Sequence, residues 1–330
     1  MRPTSDFQAI VAPQPAKPIA VVAMGGHAFM RTGQPATFDT HLKNAAEISA
    51  RMMTLIERDY DLVITHGNGP QVGMLMQQTD IARDQVPTMP LDVLVADTQG
   101  WLGHIMQQEM LNQLRRRNLN RFVVTMVTQV EVDKRDPAFL APTKPVGRFM
   151  SEQEARAAAE QHGWEIVEDS GRGWRRVVPS PRPQRVVQWR MIQDSARHGH
   201  IVIAGGGGGI PIIKNSYDDY VGVEAVIDKD LTSGLLASSI GAELLVILTD
   251  VPHAYVNYGK PNQQALGAVT AEEAEKLVSQ GHFAPGSMGP KVQAIQSFLK
   301  RGGRRALITD GASLELALEG RGGTHFVGRL

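Results

Sequence analysis

The sequence predicts an α/β fold in which a mostly parallel sheet carries helices on both faces. Three observations lead there. Short apolar runs rich in β-branched residues recur along the chain. They lack the polar alternation of a half-exposed strand, which suits strands covered on both sides. Helical periodicities fill the stretches between them, and most runs end in glycine or a turn.

Taken in order, the strand candidates are Ile19–Met24, Leu62–Thr65, Phe122–Val130, Ile201–Ala204, Leu244–Thr249 and Ala306–Thr309. The first helix is expected over 39–58, where Leu42, Ala45, Ile48, Met52 and Leu55 fall on one stripe. A second spans 98–115, with Leu102, Ile105, Met106 and Met110 on one side. Further helices are expected over 229–240, 271–278 and 290–300. One stretch, from about Glu131 to Arg185, breaks this rhythm with Pro, Gly and charge. Within it, Trp164–Val167 and Trp174–Val178 flank Asp169-Ser170-Gly171-Arg172-Gly173, a hairpin pattern. We read 131–185 as a lobe inserted into a domain of residues 19–330, serving as a lid, and 1–18 as a loose tail. A long irregular insertion in a compact domain is more often functional or disordered than inert.

Composition narrows the function. The 330 residues include 34 Lys+Arg and 34 Asp+Glu, a formal net charge of zero. A nucleic-acid or membrane-surface binder needs a basic excess, so neither partner is expected. No cysteine is present, which excludes disulfides, thiolate metal sites and a cysteine nucleophile. The start of the chain holds only a four-residue apolar run, Ala9–Ala12, too short for a secretory signal. No run approaches the roughly 20 apolar residues of a membrane span. The expectation is a soluble, cytoplasmic protein.

The strongest chemical signal is a repeated arrangement of apolar strand, glycine-rich turn, then helix or loop. It occurs at Gly25-Gly26, at Gly67-Asn68-Gly69 and at Gly205 to Gly209. Glycine lets backbone N–H groups approach an anion, and a following helix N-terminus adds a favourable dipole. In one parallel sheet such turns meet at the carboxyl ends of the strands. Familiar nucleotide fingerprints are missing. There is no GxxxxGK[ST], and neither Gly67–Gly73 nor Gly205–Pro211 fits GxGxxG. The ten histidines show no metal-ligand spacing, and His27 and His66 read as turn or pocket residues.

Bound phosphates need cations. Lys144 lies between prolines in Pro142-Thr143-Lys144-Pro145, Lys229 between Asp228 and Asp230 at a helix start, and Lys291 just after Gly286-Ser287-Met288-Gly289-Pro290. Any one of these alone is an ordinary surface charge. Asp228 and Asp230 also suit helix N-caps.

Together these segments resemble the carbamate kinases of the amino acid kinase family. The matching stretches are VVAMGGHA (21–28), HGNGPQVG (66–73), TQVEVDKRDPAFLAPTKPVG (128–147), AGGGGGIP (204–211), GVEAVIDKDL (222–231), LLVILTDV (244–251), VNYGKP (256–261) and GHFAPGSMGPK (281–291). They run in the family's order and cover nearly the whole chain after the tail. The resemblance implies a three-layer αβα sandwich with a mainly parallel central sheet, a protruding subdomain and a homodimer. It implies the reaction carbamoyl phosphate + ADP ⇌ carbamate + ATP, with Mg²⁺ carried by the nucleotide phosphates and no protein metal site.

The resemblance also assigns residues. Lys144, Lys229, Asp230 and Lys291 would be catalytic, Lys144 reaching carbamoyl phosphate from the lobe and Asp230 orienting lysines. Gly25, Gly26, Gly206 and Gly207 would offer N–H groups to phosphates. Gly67, Asn68 and Gly69 would hold the carbamate end, with His27 beside it. Asp250, Val251, Tyr255, Met288 and Gly289 would border the nucleotide. The chain departs from the family in three places. His27 stands where GGNA has asparagine, Pro252-His253 interrupts the usual TDV-x-x-V-Y pattern, and Gln99-Gly100-Trp101 replaces a methionine-rich helix segment. His27 keeps open a related kinase acting on another small carboxylate or carbamate-like acid. A silent nucleotide-binding paralogue is a third reading, against which the three lysines count.

Overall fold

The run Ile19–Met24 is buried along its whole length, and its alternate residues enter two different cores. Ile19, Val21 and Ala23 join one, while Ala20, Val22 and Met24 join the other. That pattern requires a strand covered on both faces, and it is repeated by its neighbours. Each such Val or Ile contributes on the order of 1.5–3 kcal/mol on leaving water. The structure is a computed structural model describing residues 17–328 except Thr32, Ser170 and Pro285, without the His27 side chain. The expected tail, 1–18, lies almost wholly outside the described residues.

The central sheet has eight strands: β1 (Ile19–Met24), β2 (Asp61–His66), β3 (Val123–Thr125), β4 (Ile201–Ile203), β5 (Leu244–Leu248), β6 (Ala268–Thr270), β7 (Arg305–Thr309) and β8 (Thr324–Val327). Their order is β6-β8-β7-β5-β1-β2-β4-β3. Only β7 and β8 pair antiparallel; the remaining ladders are parallel. The α-helices among the described residues are α1 (Phe38–Glu57), α2 (Gly69–Ile81), α3 (Leu91–Arg116), α4 (Glu152–His162), α5 (Trp189–Arg197), α6 (Lys229–Ser239), α7 (Ala271–Ser279), α8 (Met288–Lys300) and α9 (Leu314–Leu318). α1 and α3 pack on one core, α6 and α8 on the other. The fold is the expected αβα sandwich.

Between β3 and β4 the chain leaves this sheet. Gln129–Val132 pairs with Pro183–Val186 on one side and with Ile210–Lys214 on the other, in a second sheet that Tyr220–Gly222 completes. Beyond them lie α4 and a three-stranded antiparallel sheet of Lys144–Met150, Trp174–Val178 and Glu165–Glu168. The last two strands form the expected hairpin. Ser151 and Glu154 cap α4 reciprocally. Two polar links seat this part against the body. Arg83 hydrogen-bonds the His162 ring at 2.9 Å, and Arg176 pairs with Glu224, whose other oxygen accepts from Leu91 N.

Some sequence expectations need correction. The run Phe122–Val130 is not one strand. β3 ends at Thr125, and Gln129–Val132 belongs to the second sheet. The break falls at Thr128, whose backbone N–H donates to the Gln99 side chain and whose C=O accepts from both Gln99 Nε2 and Ile210 N. The helix expected from 98 begins seven residues earlier, at Leu91.

Candidate active site

The parallel register brings the glycine turns to one edge. Met24 is level with His66 on β2 and with Leu248 on β5, so Gly25-Gly26, Gly67-Asn68 and Thr249-Asp250 emerge side by side. β4 delivers Gly205–Gly209 to the same edge. The turns nearly touch. A Cβ added to Gly67 would lie 2.5 Å from Gly26 N, and one on Gly207 would lie 2.3 Å from Asn68 Nδ2. Gly205, Gly207, Gly208 and Gly209 all have positive φ, from 62° to 90°. This explains the five-glycine run, since other residues are strained there.

The glycine loop also abuts the start of α6. A Cβ on Gly208 would lie 2.1 Å from Ile227 O, and Thr232 Oγ1 donates to Gly208 O at 2.7 Å. Here the two flanking aspartates divide their labour. Asp228 is the N-cap: its Oδ1 accepts from Asp230 N at 2.9 Å and Leu231 N at 3.4 Å. Its Oδ2 meets Lys144 Nζ, from the inserted part, at 3.3 Å. Asp230 is not a cap. It is 3% exposed and holds two ammonium groups, Lys229 on Oδ1 and Lys291 Nζ on Oδ2 at 3.0 Å. Three lysines distant in sequence thus gather on two carboxylates beside the glycine turns.

The electrostatics follow from burial. Burial opposes the Asp230 charge, but Lys229 and Lys291 outweigh it and hold the pKa below the usual carboxylate value. For Lys229 burial wins over the attraction of Asp230, and its pKa falls. His66 is pushed down to about 4 by burial, with Lys229 adding to the effect. Its Nδ1 lies 3.0 Å from Gly67 O, so a neutral imidazole with Nδ1–H donating satisfies that carbonyl.

Met288 and Gly289 open α8, one turn from Lys291. Asp250 and Val251 follow β5 at the same edge. Tyr255 is not drawn onto the lysines. It sits in the short strand Tyr255–Val256, its ring beside Tyr258 at 5.6 Å and His253 at 6.2 Å. The expected role of the His27 side chain falls outside the described residues. Sequence reasoning met Gln99 only as part of a departure from the family and assigned no role to it, to Thr98 or to Thr128, which are fully or almost fully buried and hydrogen-bonded to the turns. Their signal was weak: Thr98 and Gln99 are a polar pair on a helix whose buried face also carries Glu109 and Gln113.

A parallel αβα sheet with glycine turns and a lysine cluster at its carboxyl edge defines a phosphate-handling protein. The chain belongs to the amino acid kinase family, whose pattern matches residues 18–310. Within that family its relatives include carbamate kinases. It is 47% identical to the carbamate kinase of Pyrococcus horikoshii, over 92% of this chain and 98% of that one. Identity to the carbamate kinase of Thermococcus kodakarensis is 46%, over 93% and 98%. A solved carbamate kinase from Giardia lamblia, bound to AMP-PNP, matches with a TM-score of 0.89 at 41% identity, covering 95% of this chain and 99% of that one.

Proposed function

We propose that this chain catalyses reversible phosphoryl transfer between carbamoyl phosphate and ADP, giving carbamate and ATP. The observation that carries the reading is the convergence of Lys144, Lys229 and Lys291 on Asp228 and Asp230 beside three glycine turns. In the forward direction the bond between the carbamoyl oxygen and phosphorus breaks. A terminal oxygen of ADP forms the new bond to phosphorus. Such transfers pass through a loose transition state, and catalysis is mostly positioning and charge stabilisation. Lys229 and Lys291 face the transferring group, and Asp230 sets their direction. Lys144 reaches the carbamoyl phosphate from the inserted lobe of about 131–185, which acts as a lid. Backbone N–H groups of Gly25, Gly26, Gly206 and Gly207 donate to phosphate oxygens. Gly67, Asn68 and Gly69 hold the carbamate end, and Asp250, Val251, Tyr255, Met288 and Gly289 border the nucleotide. In reverse, carbamate is already an anionic nucleophile, so no general base is needed.

Mg²⁺ fits this scheme as a companion of the nucleotide phosphates. No cluster of three or more His, Asp or Glu among the described residues is placed to hold a metal, and the site's own carboxylates are committed to lysines. Among the described residues no helix is long and apolar enough to cross a membrane; a cytoplasmic homodimer is the proposed setting, checked by sedimentation. The decisive experiment mixes the purified chain with ADP, Mg²⁺ and carbamoyl phosphate and measures ATP. Absence of ATP would remove the assignment. His27 favours one second reading, a kinase of another small carboxylate or carbamate-like acid. A panel of acids tested for ATP consumption, with His27→Asn alongside, decides between them: carbamate far ahead of every other acid ends the alternative.

A further inference from the structure

Gln99 lies in α3 with 1% of its surface exposed. Its carboxamide is spent entirely on backbone groups of two other segments. Nε2 donates to Thr128 O at 3.2 Å and to Gly206 O at 2.9 Å. Oε1 accepts from Thr128 N at 2.7 Å. Thr128 extends the link from its own side chain. Its Oγ1 accepts from Gly205 N at 3.0 Å and donates to Met126 O at 2.7 Å. One residue earlier on the same helix, Thr98 Oγ1 accepts from Asn68 Nδ2 at 2.8 Å and donates to Val95 O at 2.7 Å. Consecutive residues of α3 therefore hold two of the three glycine turns.

The position of Thr128 gives this arrangement a mechanical meaning. It is where the chain turns from β3 into Gln129–Val132, the strand that leads to the part carrying Lys144. One side chain thus joins the glycine loop to the root of the inserted lobe. Lys144 returns to the same neighbourhood through Asp228 at 3.3 Å, and the residue before Asp228 abuts Gly208. The loop is gripped from both sides.

We infer that Gln99 is a positioning residue: its three backbone hydrogen bonds set the Gly205–Gly209 loop and the Lys144-bearing lobe in register with each other. The inference rests on the kinase reading above and names a residue through which that site is aligned. Apolar replacement leaves buried Thr128 N without a partner inside the protein, while Thr128 O keeps Ile210 N and Gly206 O keeps Gly209 N but both lose their tie to α3. Thr128 N then shifts to find another partner, and the two segments are released from α3. A shift of about 1 Å in groups that cradle a transferring phosphoryl costs on the order of a hundredfold in rate.

The test is a double-mutant cycle in the ATP-forming assay with the full chain, using Gln99→Met, Lys144→Ala and the pair. The expected result is a fall in kcat of about a hundredfold for Gln99→Met. The loss caused by Lys144→Ala should then be at least about tenfold smaller in the Gln99→Met background, because a misplaced lysine has less to lose. A residue that merely supports the fold would leave the two losses multiplicative. Multiplicative losses, or a kcat within about threefold of the parent, overturn the inference. If Gln99→Met does not fold, Gln99→Glu is read the same way, since it keeps the bond from Thr128 N and loses both donors. A parent chain that makes no ATP removes the kinase reading and this inference together. A working parent with multiplicative losses removes the inference alone.

Discussion

Replacing Asp230 by asparagine keeps the shape of the side chain and deletes its charge. The consequence is sharp because of where the charge sits. Asp230 is 3% exposed, and the lysine side chains it holds are only 13% and 15% exposed. At an effective dielectric of about 20, a pair at the 3.0 Å of Lys291 attracts by roughly 5 kcal/mol before desolvation is counted. Desolvation offsets part of this, and breaking a buried pair typically costs about 3–5 kcal/mol because the remaining charge is stranded. Here two ammonium groups are stranded and repel each other. Asp230→Asn should therefore lose about 3–5 kcal/mol of stability in urea at pH 7. Its kcat should fall by about a hundredfold, since both lysines lose the group that aims them. A stability loss below ~1 kcal/mol, the worth of an exposed ion pair, together with a kcat within threefold of the parent, would refute the reasoning.

Other outcomes follow from the same geometry. Lys229→Ala should fold, because Asp230 keeps Lys291, and lose about 10²–10³ in kcat; an unaffected rate would take that lysine out of the mechanism. Gly207→Ala meets both a φ of 67° and Asn68 Nδ2 at 2.3 Å, so kcat/KM should drop at least about tenfold. Its control is Gly259→Ala, where φ is 75° but nothing lies within 4 Å; that variant should lose about 1 kcal/mol of stability and keep its activity. His66 has its folded pKa lowered to about 4 from 6.5, so the unfolded chain takes up the proton first as pH falls. The resulting stability, about 3 kcal/mol, is fully present above pH 6.5 and is lost progressively toward pH 4. Urea unfolding of the parent and His66→Gln across this range should show the gap between them narrowing as pH falls; a constant gap contradicts a neutral buried imidazole.

How much of this was legible in the sequence depended on how many constraints each residue meets locally. β1 could be read because both its faces are buried, so every position is apolar. β6 and β8 could not: each is short, lies toward the sheet edge and is partly exposed. α2 escaped notice because it opens with Gly-Pro and buries only Gln71, Val72 and Met76, too few for a stripe. The two carboxylates around Lys229 both look like caps in one dimension. Only the fold shows that Asp228 caps while Asp230 holds lysines. The role of Gln99 was invisible for a related reason. Its partners lie 29 and 107 residues away, and no local pattern records a bond to a distant backbone.

The arrangement of charge explains why the site carries two aspartates among its lysines. A bare cluster of three ammonium groups would repel itself, and each long side chain would keep its rotamer freedom. Fixing one lysine costs on the order of 1.5–2 kcal/mol in side-chain entropy. Asp230 imposes that order on Lys229 and Lys291 within the protein, so the cost does not fall on substrate binding. Three cations against two anions still leave one positive charge in excess, placed at the N-terminus of α6, where the helix dipole adds to it. An anion is therefore attracted to lysines that already point inward. Lys144 differs from the other two. Its side chain is 37% exposed, its partner is the cap residue, and it arrives on a separate sheet. In the proposed reaction it would be the lysine with freedom to follow the substrate, which would make the register between its segment and the glycine loop, and hence Gln99, the point where alignment is most easily lost.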